Sequence, residues 1–291
     1  MILAGFAARA QELEPLYVPS AKIVAPLAGE GLLWAPVLSP VPRNQISFQF
    51  AYGYHGFDVG PVDVDVSTYL MVLGGEYTFW DKLTVGAGVP FLVGYDISTD
   101  TDVLEEDDVD FGNIRLHVRY PFLEVPENGF VLAGAFRLWL PTNTFLEAGR
   151  AGFNVDVIDN FAAFEPMLLL GFDVAPVSIL FETGPKLYAV NDRDDFGFWS
   201  FNLIFGGSPF TSLPELEFVF ELNMLVEIDE NDAPRTDYSE DHIVPLAISF
   251  GPRYFFGDFY AEMSLSFGLN DAEFYYGDFS LGIQLGYFIG G

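Results

Sequence analysis

The sequence has no cysteine and few basic residues: 12 lysines and arginines stand against 42 aspartates and glutamates. The lack of cysteine excludes disulfides and is compatible with export through an oxidising compartment. The formal net charge of −30 disfavours a nucleic-acid partner, because phosphate contacts require lysine and arginine. The acidic excess must therefore be explained in another way.

The sequence also lacks any run of 18 or more apolar residues, which excludes a transmembrane helix. Nevertheless 51% of its residues are hydrophobic and 31 are Phe, an unusual composition for a soluble protein of this charge. The conflict disappears if the charges lie in loops and the apolar residues lie on a surface that never meets water. A closed β-barrel satisfies this condition, since it pairs every backbone N–H and C=O group inside a bilayer.

Apolar residues alternate with other residues in twelve segments, which predicts an all-β fold. The segments are 46–54, 68–80, 83–93, 111–120, 130–141, 161–172, 177–189, 197–206, 216–227, 243–255, 259–269 and 279–288. Most are long enough to cross a membrane at the usual strand tilt. We therefore expect a transmembrane antiparallel up-and-down β-barrel of about 12 strands over residues 45–291.

Long and short connections alternate along the chain. The long ones are 55–67, 94–110, 142–160, 190–196, 228–242 and 270–278, and the short ones are 81–82, 121–129, 173–176, 207–215 and 256–258. An even number of strands with short turns at one end is typical of a bacterial outer-membrane barrel. This pattern predicts extracellular loops and periplasmic termini.

The segment FGNIRLHVRY, residues 111–120, places Arg115, His117 and Arg119 on one face and only apolar residues on the other. In a barrel the polar face points into the lumen and the apolar face meets lipid. The same two-residue alternation in the other strands places further charged residues on the lumen face: Glu76, Arg137, Glu165, Glu182, Lys186, Glu217, Glu221, Glu227, Arg253 and Glu262. A soluble sandwich would instead have polar outer faces.

Two groups of these residues are candidate sites. The first is a lumen constriction formed by Arg115, His117, Arg119, Arg137, Glu165, Glu182 and Lys186. Arg115, Arg137, Glu165 and Lys186 are expected in one layer, to within the residue or two by which the stagger of a barrel shifts each strand. The second is a cluster on the periplasmic side of the lumen formed by Glu217, Arg253 and Glu262. They could select solutes by charge, or they could be ion pairs that fill a narrow lumen.

The stretch DFGNIRLHVRY resembles a strand opening found in outer-membrane barrels of the MetA-pathway phenol-degradation type and related transporter-like families. Asn113 stands where those barrels more often have Asp. The resemblance implies an outer-membrane location and a transport role, without a defined substrate.

The N-terminal part of the sequence has two segments. Residues 1–10 resemble the remnant of a signal peptide, because Ala8-Arg9-Ala10 fits an A-x-A cleavage site. Residues 11–44 are rich in proline and are either a periplasmic tether or a plug that folds into the lumen. Leu32, Leu33, Trp34 and Val37 favour the docked alternative.

The long connections carry 26 of the 42 acidic residues, with the densest run at 100–110. Such carboxylates could bind divalent cations, which also bridge lipopolysaccharide, but no EF-hand pattern is present. A solvated, self-repelling loop is the favoured interpretation. The expected partners are outer-membrane lipid, lipopolysaccharide and small solutes.

Enzyme function is not predicted, and no cofactor is expected. None of the three histidines has a serine two residues later, which excludes the His-x-Ser pair of an outer-membrane phospholipase. Asp108, Asp110, Glu240 and His242 only faintly resemble an omptin-like protease site. The three hypotheses, in order, are a channel or transporter for small solutes, a non-conducting structural or adhesion barrel, and a surface hydrolase.

Overall fold

The computed structural model describes residues 44–59, 62–99, 105–125, 129–142, 161–174, 177–190, 196–210, 212–228, 244, 246–269 and 279–289. In this part of the chain no helix is long and apolar enough to cross a membrane. The strands are β1 (Gln45–Val59), β2 (Val62–Phe79), β3 (Leu83–Thr99), β4 (Glu105–Asp110), β5 (Ile114–Val125), β6 (Phe130–Leu140), β7 (Phe161–Val174), β8 (Val177–Val190), β9 (Phe196–Gly207), β10 (Leu216–Glu227), β11 (Leu246–Phe256), β12 (Phe259–Leu269) and β13 (Phe279–Phe288).

The strands form one closed antiparallel barrel in which sequence neighbours pair and β13 pairs with β1. Both β4 and β5 pair with β3, on either side of a short interruption at residues 111–113, so together they make one strand of the wall. The barrel therefore has 12 strands, which confirms the predicted architecture. Closure leaves no unpaired edge strand among the strands that the structure describes.

The predicted strand positions agree with the structure except near three connections. Residues 55–67, expected to be a long loop, continue β1 and β2, with only residues 60 and 61 between these strands. The alternation of Val62, Val64 and Val66 was a signal for this extension. Residues 94–99 and 105–110 also pair as strands rather than forming a loop, and β5 extends to Val125 within the expected 121–129 turn.

Two short connections within the described ranges are tight turns. Between β2 and β3, Trp80 and Asp81 both have positive φ angles of 51° and 60°, and the backbone N–H of Lys82 donates to the carbonyl of Phe79 at 3.1 Å. This combination is a type I′ turn, whose twist matches that of the flanking strands. Gly257, with φ of 66°, lies in the turn between β11 and β12.

The outer surface of the barrel is apolar, with exposed Phe, Leu, Tyr and Ile side chains on every side. At the short-turn end, aromatic rings contact one another within β2, in the pair Tyr77–Phe79, and between neighbouring strands, in the pairs Phe130–Phe172, Phe256–Phe259 and Phe259–Tyr287. Such a ring of aromatic residues is typical of the boundary between lipid and water in transmembrane barrels.

Candidate functional site

The lumen face carries the polar side chains that the sequence alternation predicted. Of the thirteen ionisable residues expected inside, eleven are buried, the side chain of His117 is 10% exposed, and the side chain of Glu227 lies outside the described part. Arg137, Glu182, Glu221 and Arg253 are 0% exposed. Because a buried charge is costly unless it has a partner, the contacts among these groups define the candidate site.

Glu76, near the end of β2, is the centre of the first group of contacts. Its carboxylate lies 2.9 Å from His117 Nε2 and accepts a hydrogen bond from Arg119 at 3.0 Å, both on β5. The Gln45 amide, at the start of β1, also donates to it at 3.3 Å. Glu76 therefore connects β1, β2 and β5 through the lumen.

A glycine on the strand between makes this contact possible. Gly86 of β3 lies between Glu76 and His117 in the ladder. A Cβ at this position would lie 2.3 Å from the imidazole ring and 2.9 Å from Glu76 Cγ. Gly88 similarly leaves room for the Arg115 guanidinium, which would approach a Cβ to 2.9 Å. Small residues on β3 thus allow long side chains of β5 to lie across it.

Arg137 of β6 is the centre of the second group. Its Nη1 donates to Glu165 on β7 at 2.6 Å, and its Nη2 lies 3.7 Å from Glu182 on β8. Glu182 also accepts a hydrogen bond from the Asn202 amide at 3.0 Å. The charge-assisted contacts across β6, β7, β8 and β9 compensate the buried guanidinium.

Trp139 forms part of the same region with its indole ring facing the lumen. The Lys186 ammonium lies 4.2 Å from the centre of this ring, and the Arg137 guanidinium carbon lies 5.3 Å from it. Both distances are within the range of cation–π attraction. An aromatic platform beside two cations and two carboxylates gives this part of the lumen wall mixed polar and aromatic character.

The register shows which predicted layer residues share a row. His117, not Arg115, lies opposite Arg137, and Arg137 lies opposite Glu165. Arg115 lies opposite Trp139, two residues along the strand. Arg115 is therefore displaced by two residues from the row of Arg137, which is within the shift that the stagger of the strands allows.

The second predicted cluster is brought together near the short-turn end of the lumen. Arg253 lies between Glu217 and Glu262 in the ladder, and its Nε donates to Glu262 at 2.6 Å. The next residue in the row, Gln284, donates to the phenol of Tyr260 at 2.8 Å. The cluster is fully buried and is a compact ion pair with polar neighbours.

Sequence reasoning missed three contributors to these contacts: Gln45, Trp139 and Asn202. Strand parity places all three on the lumen face, so the alternation itself was the available signal. They were missed because only charged side chains were taken as candidates. An uncharged amide or indole can also contact a charged neighbour.

Apolar side chains also face the lumen. Leu180, Ile204 and Val219 pack together across β8, β9 and β10, each no more than 2% exposed. Met167 and Leu169 of β7 pack with Ala133 of β6. The lumen is thus charged along one part of its wall and apolar along another.

Other expected features lie partly outside the described residues. Asp108 and Asp110 belong to β4, whereas Glu240, His242, residues 1–43 and the connection 229–243 are not described. The described ranges contain no group of three or more His, Cys, Asp or Glu that could hold a metal ion.

Comparison with known structures finds the same fold in outer-membrane barrels. The COG4313 outer membrane channel from Pseudomonas putida F1 has a TM-score of 0.62 at 13% identity, over 89% of this chain and 98% of that one. The translocator domain of autotransporter NalP from Neisseria meningitidis has a TM-score of 0.53 at 12% identity, over 84% and 88%. These identities show a shared fold alone.

No protein-family model and no curated protein sequence matches the chain. The resemblance to barrels of the MetA-pathway phenol-degradation type therefore stays a prediction. The fold itself is that of a bacterial outer-membrane barrel.

Proposed function

We propose that the protein is an outer-membrane channel or transporter for small solutes. One observation carries this proposal: an apolar outer face encloses a lumen whose wall carries charged and aromatic groups between the two ends of the barrel. A barrel needs only an apolar exterior to reside in lipid. Charged groups inside the barrel are costly to bury unless they have partners, so a lumen wall that carries many of them favours a function in contact with polar solutes. The shared fold with the COG4313 outer membrane channel supports the same function.

The arrangement of the charges gives the expected selectivity. Cations and carboxylates alternate around the wall in the contacts Glu76–Arg119, Glu165–Arg137 and Glu262–Arg253. A solute that carries both a cationic and an anionic group could pair with a carboxylate and a guanidinium of this wall at the same time. An ion of one sign would meet both attractive and repulsive charges there. The acidic connections at one end favour the approach of cations to that entrance.

The second candidate function is a non-conducting structural or adhesion barrel. The nearly complete burial of the lumen charges favours it, because ion pairs such as Arg137–Glu165, with side chains 0% and 1% exposed, fill space that a pore would leave to water. The proposed channel must therefore open by a movement of whatever covers these groups.

The proposed location is the bacterial outer membrane, with the long connections outside and both termini in the periplasm. The aromatic side chains at the short-turn end and the acidic residues at the opposite end support this orientation. Outer-membrane lipid, lipopolysaccharide and divalent cations at the acidic connections are the partners that this placement implies.

Single-channel recording on the purified protein in planar lipid bilayers tests the proposal. We expect discrete ion-conducting steps whose frequency rises with the amount of protein inserted. Folded protein that inserts without any conductance, with or without the N-terminal segment, would instead favour the structural barrel.

A further inference from the structure

Two prolines lie opposite each other in the wall of the barrel. The ladder between β7 and β8 is continuous except between two of its pairs, Phe164–Leu187 and Leu168–Thr183. The register of both pairs places Pro166 opposite Pro185 within the interruption. A proline has no N–H group, so neither residue can donate a backbone hydrogen bond to the other strand. We call residues 165–167 of β7 and 184–186 of β8 the proline seam.

The proline seam is not a β-bulge, although a bulge is where a proline inside a sheet is usually accommodated. The register is the same on both sides of the interruption, whereas the ladders beside Pro90 and Pro121 shift register. Pro252 of β11 also interrupts a ladder, but the residue opposite it, Met263, keeps its N–H group. The seam thus combines an unshifted register with two missing donors, which weakens the wall between β7 and β8.

A glycine allows the two strands to stay in contact at the proline seam. A Cβ on Gly184 would overlap the carbonyl oxygen of Pro166. The carbonyl of Gly184 accepts a hydrogen bond from the Ser200 hydroxyl of β9 at 3.1 Å. The seam is therefore closed by tight packing and by side chains, because the backbone ladder is missing there.

Side chains in the lumen also hold the proline seam closed. Arg137 of β6 contacts one carboxylate on each side of it, Glu165 on β7 at 2.6 Å and Glu182 on β8 at 3.7 Å. The Ser200 hydroxyl donates to Glu165 across β8 at 3.2 Å. A single guanidinium therefore bridges the two strands. Because guanidinium groups bind oxyanions of many kinds, another anion can compete with both carboxylates for Arg137.

The outer side of the proline seam is apolar and faces lipid. Pro166 is exposed, and Phe164 and Leu168, two residues away on either side, are each 41% exposed. Trp199, which lies opposite Pro185 on β9, is also 41% exposed. A charged cluster on the lumen side and an apolar surface on the lipid side therefore lie back to back at one weak position of the wall.

We infer that the proline seam is a lateral exit from the lumen to the membrane for small amphipathic molecules with an anionic head group and an apolar body. The head group competes with Glu165 and Glu182 for Arg137, which releases the contacts that bridge the seam. The body then passes between Pro166 and Pro185, where no backbone hydrogen bond has to be broken. This inference rests on the proposed transport function and names its substrate class.

Restoring the missing donors tests the lateral exit. Pro166→Val with Pro185→Val provides an N–H group on each side of the seam and keeps the outer face apolar. The probe is 8-anilinonaphthalene-1-sulfonate, an anionic group on an aromatic body that fluoresces when it leaves water, and its uptake is followed in intact cells that produce the full chain. We expect the double variant to slow this uptake about tenfold, because two recovered hydrogen bonds favour the closed wall.

The matched control is Pro252→Val, which restores a donor at a different interruption and should leave uptake unchanged. Gly184→Ala should instead speed uptake, because its Cβ pushes against the Pro166 carbonyl. If the double variant does not assemble, Pro166→Val alone or Pro185→Val alone should slow uptake to a smaller extent. Uptake that is no faster than in cells without the protein, or that the proline variants leave unchanged, would overturn the inference.

Two further measurements separate the substrate class and the channel from the exit. The neutral probe N-phenyl-1-naphthylamine, which lacks the sulfonate, should not respond to the double variant, and an equal response would overturn the anionic head group. Single-channel conductance should be the same in the double variant and the unmodified chain. Uptake that depends on the prolines in a protein without ion conductance would support the lateral exit and count against the proposed ion-conducting channel.

Discussion

His117 lies directly opposite Arg137 in the ladder between β5 and β6. Through Gly86 the row continues to Glu76, and through Arg137 it continues to Glu165. A single row of the sheet from β2 to β7 therefore carries a carboxylate, an imidazole, a guanidinium and a second carboxylate. This row connects the two groups of contacts that define the candidate site, and it leads to the following predictions.

Glu76→Gln should destabilise the barrel. The substitution removes the carboxylate that compensates Arg119, and breaking a buried ion pair costs roughly 3–5 kcal/mol of the free energy of unfolding. Urea unfolding in detergent micelles measures the change. Glu124→Gln is the matched control, since Glu124 is exposed on the same strand as Arg119 and should change stability by less than about 0.5 kcal/mol. Equal losses in both variants would show that Glu76 has no special role.

Gly86→Ala should destabilise the barrel by displacing His117. The new Cβ would lie 2.3 Å from the imidazole, and such overpacking costs about 1–3 kcal/mol. Gly75→Ala is the control, because its Cβ would meet nothing closer than 3.6 Å. Adding His117→Ala to Gly86→Ala should recover part of the loss, as a double-mutant cycle measures. Additive effects would mean that the two residues do not interact.

The triple substitution Arg115→Gln, Arg119→Gln and Arg137→Gln should make an open pore more selective for cations, because the carboxylates beside these arginines remain. The reversal potential in a salt gradient measures the change, which should shrink at high salt as the charges are screened. Glu165→Gln with Glu182→Gln is the opposite control and should lower cation selectivity. An unchanged reversal potential in both multiple variants would show that these residues lie outside the conduction path.

The orientation of the barrel can be measured with single thiols in intact cells. A membrane-impermeant maleimide should label Ser239→Cys in the connection 229–243, and should not label Asp258→Cys in the turn after β11 until the cells are broken. Acidic loops outside and short turns in the periplasm predict this order. The reverse labelling pattern would invert the proposed topology.

The sequence by itself determined the barrel and the side of the wall on which each residue lies. A strand repeats every two residues, so the alternation of Arg115, His117 and Arg119 with apolar residues is enough to assign the lumen face. The same rule placed Glu76, Arg137, Arg253 and Glu262 inside, where their side chains are buried. Local composition was misleading only where acidic strands continue beyond the apolar part of the wall, as in β4.

Only the tertiary structure decided which lumen residues meet. The face on which a residue lies follows from its position in its own strand. The residues that lie side by side across several strands depend instead on the stagger between strands, which accumulates around the barrel. For this reason His117 rather than Arg115 lies opposite Arg137, and Glu76 contacts residues more than 40 positions away. The burial of small polar residues such as Ser249 and Ser264, which are 0% and 1% exposed, is likewise invisible in the sequence, since it depends on the closure of the barrel.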